Sequence, residues 1–289
     1  MIHRFSVGSL DCIVVSDGQP APPWQPPLWM FFTPNSGVPK QELAGAVAGE
    51  GEGRTTLTCG YNCLCIRTPA GLALIDTGLG GSFTGYAGAQ VGKLVDGMVE
   101  AGLSMSDFAA VLFTHLHQDH VRGAIWSGEL TFPAATAHAH VAELAFWPNP
   151  AASLAVGPDA EPAREAIRLF GERLRAFEYD AEILPQIRAV NASGHTPGHT
   201  AFLLSSGDER LLCVGDTFYD RLQLSHPGWW TPFDLDPERS VFSRTNLVTW
   251  AADENLLVHA YHMPFPGLGW VKRHADAFHR SPAVLLPAG

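Results

Sequence analysis

Four side chains able to bind a metal, His115, His117, Asp119 and His120, fall within six residues directly behind the apolar run of residues 109–113. The run reads as a short buried strand and the histidines as the loop at its end. Such a loop can turn His115 and His117 to one side while Asp119 and His120 swing to the other. So many polar groups at the end of a buried strand are costly to bury without partners. Two adjacent divalent ions remove that cost, and imidazole with carboxylate selects zinc, manganese or iron over calcium.

A strand that delivers an aspartate occurs twice more. Residues 72–75 run into Asp76-Thr77-Gly78, and residues 211–214 run into Gly215-Asp216-Thr217. Further strands are predicted at 7–15, 62–67, 135–140, 187–190 and 200–205, with 256–259 as the last. Helices are predicted at 90–100, 141–147 and 161–177, and from the Asp236-Pro237 start to 252, where Asp caps and Pro fits the first turn. Residues 148–160 read as a loop. Residues 19–39 hold seven prolines, with Trp24, Trp29, Phe31 and Phe32 among them, and are predicted to form neither helix nor central strand. They serve either as a surface loop or as a source of aromatics for a pocket or subunit contact. Two related halves without a Ser/Gly-rich linker predict one domain over residues 1–289, an α/β fold with two sheets face to face and helices outside.

Composition narrows the function. Lys plus Arg number 18 against 29 Asp plus Glu, a net charge of −11 without the basic stripe of a nucleic-acid binder. The densest basic cluster, Lys272-Arg273-His274, reads as a solvated helix end. With 46% hydrophobic and 16% charged residues, a disordered chain is excluded. No run approaches the ~18 apolar residues of a membrane-spanning helix. The first residues lack a basic segment followed by an apolar run, so a cytoplasmic location is expected, with neither membrane nor nucleic acid as partner. Cys12, Cys59, Cys63, Cys65 and Cys213 are expected to be buried thiols rather than metal ligands or disulfides, with Cys63 and Cys65 on one strand face.

The segment from His115 to His120 resembles the HxHxDH motif of the metallo-β-lactamase superfamily, and the likeness extends from Asn62 to Trp270. It implies an αββα sandwich of two mixed sheets. Asp76 resembles the strand-end Asp that orients metal ligands from behind. Gly194-His195-Thr196-Pro197-Gly198-His199 resembles the next motif, with His195 as ligand and His199 as a supporting hydrogen-bond partner. Gly215-Asp216-Thr217 matches the bridging carboxylate, and Tyr261-His262-Met263-Pro264 the last ligand. The implied centre puts His115, His117 and His195 on one ion and Asp119, His120 and His262 on the other, bridged by Asp216 and a water or hydroxide. Two Zn²⁺ are expected, with Mn, Fe or Co as alternatives. Superfamily β-lactamases lack the bridging Asp, which disfavours antibiotic hydrolysis.

The resemblance thus implies a hydrolase that opens lactone or ester bonds with a bridging hydroxide, Asp119 passing a proton to the leaving group. Asp216-Thr217-Phe218-Tyr219 is similar to the Asp-x-x-Tyr of acyl-homoserine lactonases, giving Tyr219 the role of holding the lactone carbonyl. His262-Met263-Pro264-Phe265-Pro266-Gly267 resembles the methyl parathion hydrolase branch, making phosphotriester hydrolysis the alternative. A non-catalytic metal-binding member is a remote one, since all seven ligand positions are filled. Phe83 and Trp147 match aromatic pocket positions of that branch. Loops at 19–39, 79–88, 147–160 and 219–233, with Trp229 and Trp230, are expected to wall a pocket for a small ester-like substrate carrying an apolar group, or to form a homodimer contact. His226 is a weaker pocket candidate.

Overall fold

The computed structural model describes residues 1–21, 25–33, 38–51, 53–81, 83, 90–157, 160–274 and 277–283. The first part of the chain forms β1 (Ile2–Val7), β2 (Leu10–Gly18), α1 (Leu28–Phe32), α2 (Lys40–Gly49), β3 (Tyr61–Thr68), β4 (Gly71–Ile75), α3 (Leu94–Glu100) and β5 (Phe108–Leu112). There follow α4 (Gln118–Val121), β6 (Ile125–Trp126), β7 (Glu129–Leu130), β8 (Thr136–His140), α5 (Val141–Phe146), α6 (Pro150–Val156), α7 (Ala160–Phe170) and β9 (Leu174–Phe177). The remainder forms β10 (Glu182–Leu184), β11 (Ile187–Asn191), β12 (Thr200–Ser206), β13 (Glu209–Cys213), α8 (Leu222–Ser225), α9 (Pro237–Asp253), β14 (Leu257–His259), β15 (Leu268–His274) and β16 (Ala277–Pro282).

Two seven-stranded sheets result, ordered β1-β2-β3-β4-β5-β8-β9 and β10-β11-β12-β13-β14-β15-β16. Both are mixed, and both contain a hairpin followed by a parallel neighbour: β3–β4 then β5, and β12–β13 then β14. In β4, Ala73 and Ile75 face the other sheet while Leu72 and Leu74 join the core under the helices. A strand apolar on both faces is what a sheet covered on both sides requires. Val14, Leu64 and Leu112 meet Ile187, Phe202 and Leu211 between the sheets. Leu94 and Met98 of α3 and Phe170 of α7 cover one outer face, and Leu247, Val248 and Ala251 of α9 cover the other. Among the described residues, no helix is long and apolar enough to cross a membrane.

Several elements differ from the sequence expectation. Residues 7–15 are not one strand: Gly8, at φ 56°, turns the chain between β1 and β2. The Pro-rich segment does contain a helix, α1, because its prolines cluster on either side of residues 28–33 and Pro27, at φ −67°, sits where a helix begins. Likewise Pro150 opens α6 inside the expected loop. The helix expected from residue 90 starts only at Leu94, behind Gly92 at φ 75°. The helix expected through 177 stops at Phe170, Gly171 takes φ 49°, and Leu174–Phe177 pairs with β8 as an edge strand. Residues 256–259 are not the last strand, since β15 and β16 follow as a hairpin, and Lys272-Arg273-His274 lies on β15 rather than at a helix end.

His259 is buried in β14, and burial, with Arg280 nearby, pushes its imidazole down to about 3. Between that value and the ordinary 6.5 the unfolded chain binds a proton that the folded chain refuses, so stability falls as pH drops through this window, by at most about 1.4 kcal/mol per pH unit. Denaturant titrations of wild type and His259→Gln are therefore expected to diverge between pH 6.5 and 5, the wild type losing up to about 2 kcal/mol more. Parallel pH curves would refute the buried neutral state.

Candidate metal centre

Loops from both sheets converge at one edge of the sandwich. The stretch behind β5 carries His115 and His117, and α4 carries Asp119 and His120. The β11–β12 connection carries His195, the turn behind β13 carries Asp216, and the turn behind β14 carries His262. The sheets are tied together here by Thr200 N–H donating to Thr114 O at 2.8 Å and Asn62 N–H to Tyr261 O at 3.1 Å. Gly215 takes φ 51°, and a Cβ there would lie 2.6 Å from His199 Nε2, so glycine lets the Asp216 turn come this close.

The seven residues implied as ligands by the resemblance come together in overlapping groups. His115, His117 and His195 form one; His115, His120 and Asp216 a second; Asp119, His120 and His262 a third, with potential ligand atoms in each within 4.8 Å of one another. His117 Nδ1 lies 2.9 Å from His115 Nε2 and 2.8 Å from His195 Nε2. Asp216 Oδ1 is 3.1 Å from His120 Nε2, and its Oδ2 is 3.4 Å from His195 Nε2 and 3.2 Å from His262 Nε2. Asp119 Oδ2 is 3.4 Å from His262 Nε2 and 3.8 Å from His120 Nε2.

Partners on the far side of four of the five rings decide which nitrogen faces inward. His120 Nδ1 pairs with Asp76 Oδ2 at 2.9 Å, and Asp76 is itself held by Thr114 N–H and Oγ1–H. His195 Nδ1 pairs with Asp234 Oδ1 at 3.2 Å, and His262 Nδ1 with Gly60 O at 2.9 Å. His115 Nδ1 lies 3.1 Å from Thr114 Oγ1. With these outer nitrogens donating, the inner nitrogens of neutral rings carry only lone pairs, and lone pairs facing one another and two carboxylates call for a cation. His120 Nε2 and Asp216 Oδ1 are buried 3.1 Å apart, and neither makes a hydrogen bond of good geometry. The donor set, imidazole and carboxylate, therefore fits divalent transition metals.

Electrostatics divide the cluster. Burial, reinforced by neighbouring histidines, holds His115 and His117 well below the ordinary imidazole range. Against the penalty of burial, the carboxylates of Asp216, Asp76 and Asp119 pull His120 up to about 10. Burial alone would raise Asp216, but His120, His262 and His115 hold it well below the carboxylate range. His199 is not in the cluster: its Nδ1 donates to Ala192 O at 2.9 Å, its Nε2 accepts from Asp216 N–H at 3.0 Å, and burial keeps it neutral, at about 3. It supports the Asp216 turn.

Tyr219 lies at the cluster, with its hydroxyl 3.3 Å from His195 Nδ1 and its ring stacked on His262 at 5.0 Å. Burial, with Asp216 and Asp234 nearby, raises its phenol well above the ordinary value, so it keeps its proton. Asp220, the next residue, is clasped by Arg54 at 2.7 and 2.6 Å, and Arg54 and Arg221 both hold Glu50 of the α2 helix end.

The expected pocket aromatics fare differently. Trp147 has no exposed surface; it packs edge-on against His117 with its Nε1–H on Glu143, so it braces the centre instead of walling an open pocket. Trp229 is buried and stacks on His226, whose Nδ1 lies 3.1 Å from Ser225 Oγ. Trp230 and Phe83 are half-buried, and the Arg122 guanidinium lies over the Phe83 ring at 5.7 Å. Trp24 lies outside the described residues. All five cysteines are buried, and Cys59 Sγ lies 3.1 Å from His262 Nδ1. Sequence reasoning missed Asp234, Glu143 and Tyr261, whose hydroxyl donates to Asp119 O at 2.6 Å.

Residues 57–253 match the Metallo-beta-lactamase superfamily, and the chain belongs to that family. Its fold and His/Asp cluster are those of a metal-dependent hydrolase. Similar solved structures include AidC, a dizinc quorum-quenching lactonase in complex with the product N-hexanoyl-L-homoserine, at 25% identity and TM-score 0.88 over 99% of this chain and 98% of that one. The hydrolase AbOPH matches at 23% identity and TM-score 0.84, covering 99% of this chain and 98% of its own. An AiiA variant from B. thuringiensis, with N-decanoyl-L-homoserine bound, matches at 17% identity and TM-score 0.64, covering 91% of this chain and 100% of its own. No curated protein matches the sequence.

Asp234 is buried between His195 and the fully buried Arg244, and accepts from Thr231 N–H and Ser240 Oγ–H. Asp234→Asn weakens the acceptor that orients His195 while keeping the shape. Metal affinity, measured by chelator competition, is expected to fall about 10- to 100-fold. An unchanged affinity would remove Asp234 from any role in the centre.

Proposed function

We propose that the protein is a dinuclear hydrolase, zinc being the ion its ligands suit, which opens the lactone ring of small substrates carrying an apolar acyl group. His115, His117 and His195 would hold one ion and Asp119, His120 and His262 the other, with Asp216 between them. When bound, such ions supply Lewis acidity and a water activated as nucleophile near neutral pH.

What supports lactone opening is the Tyr219 hydroxyl, protonated and placed against the cluster between His195 and His262. There it can donate to the carbonyl oxygen as negative charge develops on it. Asp119, with a side chain 24% exposed where Asp216 has 3%, is the carboxylate open to substrate. As the water oxygen bonds to the carbonyl carbon and the ring C–O bond breaks, Asp119 can return the water's proton to the leaving alkoxide. Phe31 packs on Tyr219 at 5.6 Å and on the half-exposed Phe233 at 5.3 Å, an apolar wall leading outward that suits an acyl chain. The likeness to a dizinc lactonase over nearly the whole chain points the same way.

The test is a side-by-side assay of an acyl-homoserine lactone, an aryl ester and a methyl phosphotriester on metal-analysed protein. Lactone turnover is expected to lead, and Tyr219→Phe to lower its kcat on the order of 10²-fold with the metal content unchanged. Phosphotriester turnover that leads and ignores Tyr219→Phe would replace the lactone reading with the organophosphate one.

A further inference from the structure

Glu143 is a carboxylate with no exposed surface, on the first turn of α5 and outside the ligand set. We propose that it is a positioning residue that clamps together the two loops carrying His115, His117 and His195, and so sets one lobe of the metal centre separately from the other. Its Oε2 accepts from Leu116 N–H at 3.0 Å, between His115 and His117. Its Oε1 accepts from Gly198 N–H at 2.8 Å, on the loop of His195. Oε2 also accepts from Trp147 Nε1–H at 2.6 Å, and the Trp147 ring packs edge-on against His117 with centroids 5.3 Å apart.

Gly198 is built for this contact. A Cβ at that position would lie 2.8 Å from Glu143 N and 2.9 Å from Glu143 Cγ, too close for any side chain. The other lobe is held elsewhere: His120 by Asp76, His262 by Gly60 and Cys59, and the Asp119 backbone by Tyr261. The chemistry demands a carboxylate. Three N–H donors and the Thr196 hydroxyl meet two oxygens, and a carboxylate has acceptor sites for all of them. A glutamine that kept its oxygen toward Leu116 and Trp147 would turn its NH₂ against Gly198 N–H, donor facing donor, and release the His195 loop alone. An apolar replacement would release both loops and leave buried N–H groups unpaired.

This inference rests on the metal centre proposed above. The experiment titrates Co²⁺ into the chelator-stripped protein, followed by the visible absorption of bound Co²⁺ and by chelator competition. Wild type is expected to take up two ions. Glu143→Gln is expected to weaken one of them about 10- to 100-fold and change its absorption, while the other stays within about twofold, and Glu143→Leu to weaken that first ion further. Leu144→Ala, a half-buried neighbour on the same helix, controls for stability: its Tm should fall without a change at either ion. The inference is overturned if the Glu143 variants bind both ions as wild type does, or lose both in proportion to their loss of Tm. A wild type that takes up no Co²⁺ overturns the metal centre itself, a result distinguishable from the first two.

Discussion

Imidazole lone pairs and carboxylates that converge on one buried spot repel one another unless a cation or protons lie among them, and the surrounding structure is organised round that repulsion. The acidic neighbours of His120 raise it to about 10, while burial and neighbouring histidines hold His115 and His117 well below the ordinary imidazole range. A divalent ion relieves the repulsion, since each ligand can then point its lone pair inward.

Holding the ligands in place requires partners behind them, and these come from widely separated segments. Asp76 follows β4 and takes φ 56°, a left-handed conformation that Asp tolerates better than most residues. Gly60 precedes β3, Glu143 is on α5, and Asp234 precedes α9 and touches the buried Arg244. Each links a loop to a packed element, so the centre is braced by the core between the sheets and by the core under the helices. Tyr219 is fixed in the same way, by the Arg54–Asp220 pair beside it and by Gln223, which accepts from its N–H at 2.8 Å.

The legible parts of the sequence were those whose information is local. His115 to His120 share one loop, Asp76 and Asp216 each end an apolar strand, and Tyr219 stands three residues from Asp216. Boundaries were read less well where a proline or glycine has opposite meanings in different settings. Pro27 and Pro150 open helices where a Pro-rich stretch had suggested loop, and Gly171 separates a helix from a strand where periodicity had continued. Trp147 shows the limit for side chains: its position in sequence suited a pocket, yet a buried indole whose N–H meets a buried carboxylate belongs to the packing.

The sequence by itself determined the ligand types, their grouping by motif and the strand-and-loop scheme of two related halves, because each depends on residues within a few positions of one another. Only the tertiary structure decided which nitrogen of each histidine faces inward and which acids stand behind them. Asp234 is 39 residues from His195 and Glu143 is 55 residues from Gly198. No local pattern marks such a pair, since a lone acid at a helix start reads equally well as a solvated cap until the chain has folded and buried it.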